Sequence, residues 1–445
     1  MEGIILTVFA VVLFACVCSG QSILWALIFG YGLFALYGFR KQMTLSELLA
    51  ITGRGIRTVK NILITFLLIG MLTGIWRACG TIALIIVLSM KLITPMIFPL
   101  LTFWLCAVIS MLTGTSFGTA GTIGVICMTK GRAIGLSPIL LGGAVLSGAF
   151  VGDRNSPMST SALLVAELTK TDIYRNIRNM LRTGLMPLLL SSGIYLAAGM
   201  MTSAAGGQSY AQIREELTGL FTRNFALHPL ALFAALVIPV CSLLRMRVKK
   251  TMMISIILGI LAAFFPEKLT AAQILQILVT GYRAENAAVA QLLDGGGICS
   301  MLKVFGVVCI SSTYAGLFER TGILTGPKEA LQALTGRIGA YPTVCLTGLL
   351  TAMVACNQSL ATILTAEFCR DMYEDRESLA LAMENSVIVL AGLIPWSIAG
   401  TAPLSAIGAP SAAMAAACFL YLIPLWNLIR LRSPFPIKET YNERT

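Results

Sequence analysis

The chain is short of charge. Asp, Glu, Lys and Arg make up 12% of its 445 residues, against roughly 25% in ordinary soluble domains. Histidine is almost missing, with His228 the single one. That excludes a histidine-based metal centre. A histidine-dependent triad would have to use a residue that sits beside Pro229 at the start of an apolar run, which is poor ground for catalysis. No basic run interleaved with aromatics is present, so nucleic-acid recognition is excluded. The first apolar run has no basic region before it and no small-residue cleavage site after it. Residues 4–20 are therefore expected to be a retained span rather than a leader.

Apolar residues are what the chain has in excess. They make up 57% of it, and the mean hydropathy is +0.85. A globule of this length in water must still cover its surface with polar groups. An ordinary soluble enzyme and a disordered chain are both excluded. The twelve cysteines do not make a disulfide framework. Cys16, Cys18, Cys106, Cys127, Cys309, Cys345 and Cys418 lie inside apolar runs, where a free thiol acts as a small hydrophobe. Cys16-Val17-Cys18 is too tight for a zinc pair. The net charge of +12 reads as Lys and Arg held in cytoplasmic loops beside anionic lipid.

A crossing needs about 20 apolar residues. Runs at 4–20, 22–39, 61–76, 95–112, 184–201, 229–245, 251–266, 298–318 and 411–430 qualify, and 80–93, 113–151, 342–371 and 379–404 are apolar but interrupted. The expected fold is an all-α polytopic membrane protein of about 11–13 helical segments, since the runs are far too long for barrel strands. The loop 40–60, the turn 245–250 and the tail 431–445 are basic, whereas the loop 267–297 is not. The positive-inside rule puts the first three, and both termini, on the cytoplasmic side of the cell membrane. The stretch 203–228 reads as a surface loop with one amphipathic turn.

The chain also repeats. At an offset of 242, Gly74 meets Gly316, Trp76 meets Phe318, Gly80 meets Gly322 and Met111 meets Met353. The first copy starts from a basic loop and the second from a neutral one. Two oppositely inserted copies with broken helices meeting at mid-membrane are the architecture of secondary transporters. The implied division is 1–53 as an N-terminal two-helix segment, 54–200 as the first transport repeat and 201–295 as a linker. Residues 296–430 form the second, inverted repeat, and 431–445 the tail.

Four polar breaks interrupt these runs. Unpaired backbone groups are tolerated at membrane depth only where they line protein or water. The first break is Thr113-Gly114-Thr115-Ser116-Phe117-Gly118-Thr119-Ala120-Gly121-Thr122, whose hydroxyls and carbonyls suit a small hard cation. Gly114 and Gly118 read as helix breaks, or alternatively as a small-residue packing face. The second is Gly152-Asp153-Arg154-Asn155-Ser156-Pro157-Met158-Ser159-Thr160. Its Asp153 is an acid at membrane depth, a functional candidate by default, unless it is consumed in a pair with Arg154 or Arg77. The third is Cys356-Asn357-Gln358-Ser359. The fourth runs through Gly392-Leu393-Ile394-Pro395-Trp396-Ser397, after the buried-segment acid Glu384. Pro157 and Pro395 remove backbone donors and mark further breaks.

These stretches resemble the NhaC-type sodium/proton antiporter family, over about residues 54–430. The resemblance is carried by Thr113 to Thr122 as quoted, by Ser147-Gly148-Ala149-Phe150-Val151-Gly152-Asp153-Arg154-Asn155-Ser156-Pro157-Met158-Ser159, and by Ile394-Pro395-Trp396. It implies cation efflux coupled to proton entry, or in some members organic-acid exchange, on an inverted-repeat fold with helical hairpins. The resemblance is that of a diverged member. Where the family continues Asp-Thr-Thr-Asn, this chain reads Thr160-Ser161-Ala162-Leu163, and a second acid near Glu384 is replaced by Asn385. Fewer carboxylates weaken a sodium site.

The resulting expectation is a Na+/H+ antiporter, not an enzyme, with exchange of a small organic ion as the alternative. Asp153, Asn155, Ser156, Thr115, Ser116, Asn357, Gln358 and Ser397 are the expected ion- or substrate-binding residues, and Glu384 the proton relay. No cofactor and no transition metal are expected, with Na+ and H+ as cargo. The lipid bilayer and a small cation or organic substrate are the partners, nucleic acid is not, and a homodimer is compatible with this reading.

Overall fold

In lipid, a backbone has no water to bond to, so an apolar run must close its own hydrogen bonds as a helix. A computed structural model describes residues 2–19, 21–89, 94–204, 210–244, 246, 248–323 and 334–432. Among them the chain is helical, and its strand content is a single antiparallel bridge between Tyr282 and Gly295. It opens with α1 (Glu2–Cys18), α2 (Ile23–Arg40), α3 (Leu45–Thr58), α4 (Lys60–Ala78) and α5 (Thr81–Ser89). Next come α6 (Phe98–Thr113), α7 (Ser116–Thr119), a π-turn over Ala120–Gly124, α8 (Val125–Ala133), α9 (Pro138–Asn155), α10 (Thr160–Thr169) and α11 (Ile173–Ala204). The middle holds α12 (Tyr210–Asn224), α13 (Pro229–Leu243), α14 (Val248–Phe264), α15 (Ala271–Thr280) and α16 (Ala287–Leu293). The chain ends with α17 (Leu302–Thr321), α18 (Ala340–Ala355), α19 (Gln358–Cys369), α20 (Arg376–Glu384), α21 (Val387–Leu390), α22 (Ile398–Ala406) and α23 (Cys418–Arg432).

Among the described residues, five stretches are long and apolar enough to cross a membrane: Ile23–Arg40, Lys60–Ala78, Pro95–Thr113, Ile173–Thr202 and Ile298–Thr321. Two bent pairs add to them, Glu215–Asn224 with Pro229–Cys241 at 107° and Arg376–Leu393 with Ile398–Ala406 at 54°. Large apolar side chains such as Trp25, Leu36, Leu185 and Phe233 point outward. A water-soluble surface would not carry them in such number. The chain is an all-α polytopic membrane protein.

Two loops expected from the sequence are helical. The 40–60 segment contains α3, started by a capping box in which Thr44 and Glu47 exchange hydrogen bonds. The 203–228 stretch contains α12, which buries Phe221 and Leu217. Both helices carry a narrow apolar stripe on a polar body, so their average hydropathy hides them.

Two helical hairpins organise the site. In the first, α6 runs up to a tip at Gly114–Thr115 and the chain returns through α7 and α8. Thr113 and Thr119 hydroxyls lie 3.3 Å apart near the tip, and Lys130 Nζ stands 5.1 Å from the Phe98 ring at the base. In the second, α18 and α19 meet at Cys356–Asn357, with the Thr351 and Thr365 hydroxyls 2.8 Å apart. The tips share one conformation. Gly114 (φ 66°, ψ 26°) and Cys356 (φ 55°, ψ 8°) are left-handed, and Thr115 (φ −148°, ψ 128°) and Asn357 (φ −144°, ψ 130°) are extended. The two tips lie 242 residues apart. At the same spacing, α4 and α17 begin at Lys60 and Leu302 and run into left-handed Gly80 (φ 71°) and Gly322 (φ 64°).

The first hairpin packs on α9 through glycine. A Cβ at Gly148 would strike the Phe103 carbonyl, and one at Gly152 would strike the Ser110–Met111 backbone. Ser110 Oγ donates to the Ala149 carbonyl across this contact. Gly148 and Gly152 therefore form a small-residue packing face, in addition to the close approaches at Gly114 and Gly118.

Candidate functional site

A helix that starts inside protein exposes backbone N–H groups that need acceptors. All four breaks meet this need with the first residue of the restart. Thr115 Oγ1 accepts from Gly118 N at 3.4 Å, Ser159 Oγ from Ala162 N at 3.3 Å, Asn357 Oδ1 from Ser359 N at 2.9 Å and Ser397 Oγ from Ala399 N at 3.4 Å. These are N-caps. The breaks also touch one another. Gly114 packs against the Met158–Ser159 backbone, where any Cβ would clash. Ile398 N donates to the Cys356 carbonyl at 3.0 Å, and Trp396 Nε1 to the Met353 carbonyl at 2.8 Å.

Asp153 sits at the end of α9, only 4% exposed. Its Oδ2 accepts from Gln358 Nε2 at 3.1 Å, and the same amide group donates to the Ile388 carbonyl at 3.0 Å. The Ser161 hydroxyl and the Ser116 backbone amide lie close enough to act on this carboxylate electrostatically. Ser116 and Gln358 are the first residues of the two hairpins' return helices, 242 apart. The carboxylate is thus met by the side chain of one return helix's first residue and lies near the backbone start of the other, whose dipole favours negative charge. Asp153's own carbonyl accepts from the Ser159 and Ser161 hydroxyls. Carboxylate, hydroxyl and carbonyl oxygens are the donor set of a hard cation.

Arg154 points the other way. It is fully buried, and its donors go to neutral oxygens. Nε reaches the Glu384 carbonyl at 3.2 Å. Nη1 reaches Asn155 Oδ1 at 2.9 Å and the Met180 carbonyl at 3.2 Å. Nη2 reaches Thr183 Oγ1 at 3.2 Å and Asn385 Oδ1. Neither pair considered for Asp153 forms, because Arg77 donates to the Leu293 carbonyl at 3.2 Å and to the Asp294 carbonyl. Glu384 is also fully buried, and neither of its carboxylate oxygens has a hydrogen-bond partner. An ionised group so placed lacks the hydrogen bonds that a buried charge needs until a proton or a cation reaches it.

The structure brings Asp153, Ser116 and Gln358 together. It commits Asn155 to Arg154, and Ser156 Oγ to Met158 N at 3.2 Å. Thr115, Asn357 and Ser397 cap helices. Gly114, Pro157 and Pro395 lie in breaks, but Gly118 is a correction: it is helical, inside α7, and a Cβ there would meet Thr115 and Val248. Sequence reasoning missed Ser161 and the role of Arg154 as the hub joining α9, α11 and α20. A second charge beside Asp153 in an apolar run is the signal that marks Arg154. It also missed Lys130, buried at the base of the first hairpin with its Nζ over the Phe98 ring and without a hydrogen-bond partner.

Two cavities reach the breaks. One of about 730 Å³ is lined by Arg54, Thr58, Ser312, Arg320, Asn357 and Ser359, so it ends on the two neighbours of Gln358. The other, about 210 Å³, is lined by Ser22, Lys303, Val307, Pro395, Trp396 and Thr401. They touch opposite ends of α17, the smaller at 303–307 and the larger at 311–320.

The chain matches the Na+/H+ antiporter family over residues 2–167 and 150–428. Among curated proteins it is 29% identical over 409 residues to the malate-2H+/Na+-lactate antiporter of Bacillus subtilis, covering 88% of this chain and 86% of that one. It is 26% identical over 374 residues to the Na+/H+ antiporter NhaC of Alkalihalophilus pseudofirmus, covering 81% and 79%. With the arginine/ornithine antiporter ArcD of Halobacterium salinarum it shares 27% identity over 405 residues, covering 88% and 81%.

Proposed function

Because the chain belongs to the Na+/H+ antiporter family, we propose that it exports Na+ in exchange for H+ entering across the cytoplasmic membrane. One observation carries this reading: the Asp153 carboxylate is buried where the break of one half meets the hairpin tip of the other, held by Gln358 at 3.1 Å. A carboxylate there takes up a proton or coordinates a cation, and the two compete. That competition is the coupling. Ser161 and the Ser116 amide shape the site, and Glu384 relays protons.

Residues 54–200 and 296–430 act as oppositely inserted repeats that rock about this point. The shared backbone of the two tips supports this division. Arg54 and Arg320 at the larger vestibule support an orientation in which it and both termini face the cytoplasm. In proteoliposomes with a sodium gradient, Asp153→Asn abolishes Na+-driven proton movement while the protein stays folded. Normal exchange in that variant removes Asp153 from the mechanism.

A second reading is exchange of a small organic ion. A vestibule of about 730 Å³ exceeds what a bare cation requires, and Thr160 and Asn385 stand where the resembled family has acids. Transport of an organic acid that ignores the sodium gradient would favour it.

A further inference from the structure

Among the described residues four charged side chains are buried: Lys130, Asp153, Arg154 and Glu384. Lys130 lies at the base of the first hairpin, over Phe98. The other three share one region. Arg154 Nε bonds the Glu384 backbone, and the Glu384 carboxylate is within electrostatic reach of both Arg154 and Asp153. The remaining charges on α10, α11, α19 and α20 are exposed or half-exposed, and Arg175 with Glu377 forms a surface pair at 2.6 Å.

Arg154 is not a salt-bridge partner. Its five N–H groups are taken by five uncharged oxygens, on Glu384, Asn155, Met180, Thr183 and Asn385. It is a fixed positive charge, solvated by protein and always protonated. Two carboxylates and one guanidinium leave one negative charge when both acids are ionised. In a poorly polarisable interior that imbalance is expensive, and a single monovalent cation cancels it. Two would overshoot.

We propose that Arg154 is a built-in counter-cation that limits the load of this site to one monovalent cation, so that exchange runs one for one and moves no net charge. This rests on the antiport reading above. A carboxylate at position 385 would neutralise Arg154. In this chain Asn385 accepts from Nη2 without doing so, which leaves the guanidinium free to act in place of a second cargo ion.

The test uses the full chain in proteoliposomes. Na+ and H+ fluxes are recorded together while potassium and valinomycin clamp the membrane potential. The expected result is a flux ratio of one, rates unchanged by potential of either sign, and a hyperbolic Na+ dependence. A ratio of two, or acceleration by potential, overturns this inference and leaves antiport standing, whereas absence of exchange overturns both. Asn385→Asp consumes the fixed charge, so its Na+ dependence turns sigmoidal, with a Hill coefficient moving from one toward two. Arg154→Lys keeps the charge and the coefficient of one. An active Asn385→Asp protein with an unchanged coefficient also overturns the inference, because a purely structural Arg154 would alter only the rate.

Discussion

At the scale of single residues, the site turns on how few side chains are free to bind cargo. Gln358 gives Asp153 its one side-chain amide donor, at 3.1 Å. A hydrogen bond to a charged group contributes about 1.5–3 kcal/mol. Gln358→Ala is therefore expected to weaken apparent Na+ affinity by roughly tenfold to a hundredfold. The measurement is Na+-concentration dependence of exchange in vesicles, and an unchanged affinity would show that Gln358 only spans the gap to Ile388. Asp153 was legible in the sequence because an acid within an apolar run has no cheap explanation. The roles of Thr115, Asn357 and Ser397 were not. The residue types that suit a cation also suit a helix start, and only geometry separates a ligand from a cap.

At the scale of elements, the breaks were legible and their surroundings less so. Gly/Ser/Thr clusters and prolines announced where helices stop, and the 242-residue spacing announced which stops correspond. The amphipathic helices α3 and α12 escaped because span-finding rewards uniform hydropathy, while these carry their apolar residues on one stripe. The α6–α9 contact escaped too, since a glycine pair four apart gives no hint of which partner it admits. Gly152→Val puts branched carbons against the Ser110 backbone. Overpacking of this kind costs about 1–3 kcal/mol, and more where the backbone must move. The expected outcome is a clearly lower melting temperature in detergent, and an unchanged one would mean that α6 and α9 separate easily.

At the scale of the whole molecule, the two cavities define access. In a chain with the exposed Cys299 replaced by Ser, Thr58→Cys and Ser312→Cys are expected to react with a membrane-impermeant thiol reagent from the cytoplasmic side. Reaction only from the outside would reverse the orientation. The two chambers lie at opposite ends of α17, with Val307 lining one and Ser311 the other, about 6 Å apart along the helix axis. A rod that tilts about its middle moves its two ends in opposite directions. Leaning α17 is then enough to make the two entrances mutually exclusive, and a slip that opened both would have to bend the helix itself.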